Sequence, residues 1–134
     1  MGRYIFVNLP VGDLPRSMEF YKALGFEFEP KFTSEQGVGM IISETSYAML
    51  LTREFFQTFI PGKTISDATT STEVLVCISC NSKAEVDELV AKAVAAGGRI
   101  PRPSKDHGFM YEHAFEDLDG HIWELAYMEQ GAEG

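Results

Sequence analysis

The chain has 134 residues, of which 45% are hydrophobic and 23% charged, a balance that suits a folded domain with a real core. Its formal net charge is −9 and its pI about 4.7, which argues against nucleic acid or an anionic membrane surface as a partner, since both want a basic patch. No basic start followed by an apolar run marks a signal peptide, and no apolar run approaches a membrane span, so a cytoplasmic protein is expected.

Residues 4–11, YIFVNLPV, read as a strand. Asp13 then stands as a helix N-cap with Pro15 in the first turn. Leu14, Met18, Tyr21 and Leu24 supply an apolar stripe, and Gly25 closes the helix. FEFEPKF reads as extended, and GVGMIIS and YAMLLT read as two strands across the polar turn ETS. Residues 53–70 break this pattern, with a short helical turn around Phe55, Phe56 and Phe59 and a connector through Pro61 and Gly62.

TEVLVCIS, 72–79, is predicted as a strand. Its Cys77 and Cys80 form a C-x-x-C, but a redox pair belongs at a helix N-terminus, and residues three apart on a strand face opposite ways, so both are read as structural thiols. Ser82 and Glu85 form a capping box before a helix carrying Val86, Leu89, Val90, Ala93 and Val94, stopped by Gly97 and Gly98. GGRI starts another extended piece. FMYEHAF and HIWELAYM are the arms of a hairpin that turns through Asp117–Gly120, and EQGAEG is read as a frayed tail.

The order strand–helix–strand–strand–strand therefore occurs twice. Residues 6–11 align with 73–78, Asp13 with Cys80, and SETSYAMLL with DLDGHIWEL. The fold class is α+β, a single domain over 1–134, with module one over 1–58, a connector over 59–70 and module two over 71–128.

FVNLPVGDLPRSMEFYKALGF, 6–26, and FEDLDGHIWEL, 115–125, resemble the opening and closing motifs of the vicinal oxygen chelate superfamily, which holds glyoxalase I, extradiol dioxygenases and bleomycin-resistance proteins. The chain looks closest to a bacterial branch described as predicted lactoylglutathione lyases. The resemblance implies two β-α-β-β-β modules whose curved sheets form a cleft, in a homodimer. It also implies a divalent metal in the metal-using members, each module giving one His, Glu or Gln from its first strand and one from its last.

Carried across by position, the module-one ligands fall at Phe6 and Leu50, which cannot bind metal, and the module-two ligands at Glu73 and Glu124. Two carboxylates are fewer than the roughly three protein ligands of a stable site, so no tightly bound cofactor is expected. Lactoylglutathione lyase activity is not expected either. A direct hairpin register would put His113 beside Glu124 as a third ligand; a bulge at Gly120 would turn His113 away.

Glu73 and Glu124 are then the candidate catalytic bases, for a lyase or isomerase acting on a small carbonyl compound. Phe6, Asn8, Leu50, Leu75 and Cys77 are the expected cleft wall. Residues 105–113, with His107, Tyr111 and His113, are expected either as a loop over its mouth or as a plain surface loop, with Phe109 and Tyr111 as further candidate substrate contacts. The alternative is a metal-free binding protein of the bleomycin-resistance type, whose apolar half-cleft and carboxylates suit a small cationic aromatic ligand.

Overall fold

The computed structural model describes residues 2–129; of the predicted tail, 130–134 lie outside the described residues. The chain divides into two compact units, Met1–Ser66 and Asp67–Gly134. In the first unit, β1 (Ile5–Val11), β2 (Glu27–Glu29), β3 (Gly37–Ser43) and β4 (Ser46–Thr52) form a sheet of order β1-β4-β3-β2. Helix α1 (Leu14–Ala23) follows β1, and α2 (Arg53–Thr58) follows β4. In the second unit, β5 (Val76–Ser79), β6 (Lys105–Asp106), β7 (Met110–Glu116) and β8 (Ile122–Met128) repeat that order as β5-β8-β7-β6, with α3 (Lys83–Ala95) after β5. The predicted internal repeat and the α+β class are both present.

Local chemistry sets the elements. The Asp13 carboxylate accepts from the Arg16 amide at 3.1 Å, capping α1, and Pro15 sits in its first turn. Leu14, Phe20 and Tyr21 are buried from α1, as are Leu9, Val11 and Leu50 of the sheet; Met18 is only half-buried, and Phe20 is buried in its stead. On α3, the Ser82 hydroxyl accepts from the Glu85 amide at 3.0 Å, and the Glu85 carboxylate reaches back to the Asn81 amide at 2.6 Å. Val86, Val90 and Ala93 are the buried stripe of α3, and Phe115, Trp123 and Leu125 are buried on one face of the strands beneath it.

Two predicted elements change. The strand expected over 72–79 shrinks to Val76–Ser79. It pairs in parallel with β8, Val76 opposite Trp123, and β8 begins at Ile122. Residues 72–74 therefore run past the end of their partner, and Leu75 falls opposite its first residue, Ile122. The loop expected over 105–113 is instead a short hairpin: β6 pairs with β7, the turn passes through Gly108 at φ 89°, and the His107 amide donates to the Met110 carbonyl at 2.7 Å. No helix among the described residues is long and apolar enough to cross a membrane.

Candidate functional site

The β7–β8 hairpin decides which side chains meet. Asp117 and His121 pair through the Asp117 amide and His121 carbonyl at 2.9 Å, and Gly120 between them takes φ 94°. The Asp117 carboxylate accepts from the amides of Asp119 and His121, each at 2.9 Å. This is a turn closed by a left-handed glycine, the bulged form. Its extra residue sets Ala114 opposite Glu124 and His113 opposite Leu125.

His113 thus shares a face with buried Leu125, not with Glu124, and its Nδ1 is buried without a hydrogen-bond partner among the described residues. Tyr111 shares that face: its hydroxyl donates to Asp87 of α3 at 2.6 Å, which pushes the phenol pKa up. Phe109 is exposed beside the His107 ring, just before β7. Neither aromatic joins Glu124.

The opposite face of β7 and β8 carries Glu112, Ala114 and Glu124, and β5 adds Cys77 directly opposite Glu124. Over this face comes Arg102, from a segment stiffened by Pro101 and Pro103. Its Nη2 donates to Glu124 Oε2 at 2.9 Å and to Glu112 Oε1 at 3.3 Å. His107 Nε2 lies 3.4 Å from the other Glu112 oxygen. One cation thus separates two carboxylates that would otherwise repel. Burial, reinforced by Glu124 and Glu112, pushes the Cys77 thiol up in pKa, and Arg102 opposes that rise. Both cysteines are free.

Glu73 is not part of this group. It is exposed and precedes β5, in the segment that has lost its sheet partner. Leu75 is exposed in the same segment.

In the first unit, Phe6 stands opposite Tyr47, Asn8 opposite Met49 and Leu9 opposite Leu50. Leu50 is fully buried with Leu9 on the α1 side, so it leaves the expected wall, and Met49 and Tyr47 take that place. The two units correspond by register, the pair Asn8–Met49 matching the pair Cys77–Glu124. The counterpart of Glu124 is then Met49, and that of Phe6 is Leu75. The offset that gives Phe6 from the α1 N-cap Asp13 also gives Leu75 from the α3 N-cap Ser82.

The tight β3–β4 turn pairs Ser43 with Ser46, whereas the β7–β8 loop spans Asp117–His121, so an ungapped alignment of the two halves slips. By this register the metal positions that the family resemblance implies fall at Phe6 and Met49 on the first unit and at Leu75 and Glu124 on the second. Three of them offer no hard donor, and the fourth is tied to Arg102. This donor set does not fit a divalent ion. Among the described residues, no three His, Cys, Asp or Glu side chains are placed to hold one.

Sequence reasoning missed Arg102 and Glu112. The signal for Arg102 was its proline-locked position between Gly98 and the hairpin. For Glu112 it was strand alternation with Ala114, once the bulge is allowed.

The first unit's sheet face carries a different group. The rings of Phe6 and Tyr47 stack with centroids 5.2 Å apart, Tyr4 stacks on Phe6 at 6.4 Å, and Phe32 stands edge-on to Phe6 at 5.8 Å. Tyr4, Phe6 and Phe32 are exposed.

Three comparisons bear on this architecture. A model of the glyoxalase/bleomycin resistance protein/dioxygenase superfamily matches residues 3–125. The hypothetical protein SA1046 from S. aureus is similar in structure at a TM-score of 0.78 and 32% identity, covering 95% of each chain. A glyoxalase/bleomycin resistance protein/dioxygenase family enzyme from Burkholderia phytofirmans PsJN aligns at a TM-score of 0.78 and 18% identity over 95% of this chain and 99% of its own. The fosfomycin resistance protein FosX from Listeria monocytogenes aligns at 0.70 and 18% over 100% and 99%. No curated protein matches the chain. The family match over nearly the whole length, on a repeated β-α-β-β-β architecture, means that the chain belongs to the glyoxalase/bleomycin resistance protein/dioxygenase superfamily.

Proposed function

We propose that this protein acts on a small carbonyl compound without a metal, at the Glu124 face of the second unit, with Glu124 as the base that takes a proton from the carbon next to the carbonyl. One observation carries the reading. Glu124 Oε2 is held by Arg102 at 2.9 Å, while Oε1 has no partner among the described residues. A carboxylate fixed by one oxygen and open at the other is oriented for proton transfer. Glu73, in this reading, takes no part. The reaction class is that of an isomerase, which moves protons and needs no co-reactant.

The test is solvent exchange. Hydroxyacetone and related neutral ketones and aldehydes, incubated with the protein in D2O and EDTA, should lose proton signal next to the carbonyl, followed by NMR. Glu124→Gln should abolish that exchange with the melting temperature kept. Exchange that needs added Mn²⁺, Ni²⁺ or Zn²⁺, or that survives Glu124→Gln, would refute the reading.

A second reading has its own support, in the ring array of Tyr4, Phe6, Phe32 and Tyr47 on the first unit. Exposed stacked rings and a net charge of −9 suit the capture of a planar cationic molecule, without turnover. Such a ligand would raise the melting temperature, and Phe6→Ala or Tyr47→Ala would remove the rise.

A further inference from the structure

We propose that Arg102 is a catalytic residue that holds the substrate's carbonyl oxygen through Nη1, which restricts the substrate to a neutral carbonyl compound. The proposal rests on the carbonyl reading above and names the group that would stabilise charge in it.

The guanidinium has five N–H donors on three nitrogens. Both of its ion pairs leave from Nη2, one to Glu112 Oε1 and one to Glu124 Oε2. Nη1 and Nε have no partner among the described residues. An arginine serving only to anchor a carboxylate commonly grips it with two nitrogens at once. Here neither carboxylate is gripped that way, and the side chain keeps 37% of its surface exposed. Nη1 and Nε are therefore the donors left for a ligand, on the same guanidinium that holds the other oxygen of Glu124.

The same geometry selects the ligand. Both two-nitrogen edges of the guanidinium include Nη2, which already donates to Glu112 and Glu124. A substrate carboxylate could be gripped there on two prongs only by displacing Glu112 or Glu124. A single carbonyl oxygen can be met by Nη1 alone. Two carboxylates against one guanidinium also leave net negative charge on this face, which repels anions.

The step balances without a co-reactant. Glu124 Oε1 takes the proton from the carbon beside the carbonyl. The electron pair of that C–H bond becomes the carbon–carbon double bond, and the carbonyl π pair moves onto oxygen, where the Arg102 donors meet the developing charge. Return of a solvent-exchanged deuteron from Glu124 to the same carbon restores the ketone.

The experiment is the D2O exchange of hydroxyacetone in EDTA, run on Arg102→Gln, Arg102→Lys and Arg102→Ala beside the unaltered protein. Arg102→Gln should lower kcat by roughly 10²–10³-fold, the usual loss of one oxyanion donor, with a smaller change in KM. Arg102→Lys should keep part of the rate. Guanidinium ion at millimolar levels should restore part of the Arg102→Ala rate. Pyruvate should exchange more slowly than hydroxyacetone. If Arg102→Gln exchanges within about threefold of the unaltered protein while Glu124→Gln is silent, this inference fails and the carbonyl reading stands. If the unaltered protein exchanges no neutral carbonyl compound, both fail.

Discussion

Ala114, not His113, stands opposite Glu124 across the β7–β8 pair. That one-residue displacement moves His113 to the buried face, opposite Leu125, where its Nδ1 has no hydrogen-bond partner among the described residues. An unsatisfied buried nitrogen costs about 1–3 kcal/mol, so replacing it with an apolar group of similar size should not destabilise. His113→Leu is expected to hold or raise the melting temperature by a few degrees, measured by calorimetry. A loss above about 1 kcal/mol would show that the imidazole makes a bond worth keeping.

Glu73 and Glu124 separate cleanly in their expected behaviour. Glu73 is exposed on a segment without a sheet partner, and Glu124 is only 24% exposed in an ion pair with Arg102. Glu73→Gln should leave the melting temperature unchanged and carbonyl exchange within about twofold of the unaltered protein, as surface substitutions usually do. A double-mutant cycle on Glu124→Gln and Arg102→Gln should return a coupling of about 0.5–1 kcal/mol, because the pair is half-open to solvent. No coupling at all would mean that the pair does not persist in solution.

The fold was legible because its signals are local. Asp13, Ser82 with Glu85, and the glycines at 25, 97 and 120 mark the ends of elements by short-range chemistry that tertiary packing reinforces. Glu124 was legible as an oddity, a carboxylate inside an apolar strand. The rest of the site was not, because it depends on register. A strand's faces alternate every residue, so the bulge at Gly120 moved His113 off the site and brought Ala114 and Glu112 onto it. The unequal turns of the two hairpins likewise shifted Leu50 against Glu124. Arg102 belongs to no periodic element, and only the chain path through Pro101 and Pro103 carries it across the sheet.

The thiol of Cys77 reports on the same charge cluster. Burial raises its pKa first, Glu124 and Glu112 raise it further, and Arg102 lowers it. Cys80 is pushed up to about 11, so a Cys80→Ser background isolates Cys77. At pH 8 Cys77 should react with iodoacetamide more slowly than an ordinary thiol, since less of it is thiolate. Removing the negative charge in Glu124→Gln should lower the pKa and speed alkylation. Arg102→Gln should raise the pKa and slow it. A rate profile against pH reads both shifts, and equal profiles in all three proteins would place the cluster away from Cys77.

Gly120 fixes the register on which all of this depends. It holds φ 94°, a conformation that costs an ordinary residue about 1–3 kcal/mol. A Cβ there would also stand 2.7 Å from the Ala68 carbonyl oxygen and 2.8 Å from its carbon, backbone atoms that cannot swing aside. Strain and overlap together should make Gly120→Ala destabilising by roughly 2–5 kcal/mol. Gly25 is the control: its φ is 101°, but a Cβ there would meet nothing within 4 Å. Gly25→Ala carries only the backbone cost, about 1–2 kcal/mol. Denaturant melts of the two variants should therefore differ clearly. If the Gly120 variant relieves the strain by relaxing toward a direct register, His113 would swing to the face of Glu124. Loss of the slow Cys77 alkylation profile in that variant would report the slip, because a register change in β8 also carries Glu124 away from the thiol. A Gly120 variant as stable as the Gly25 variant, with that profile intact, would show that the close approach of Ala68 is not rigid and that the bulge does not depend on glycine.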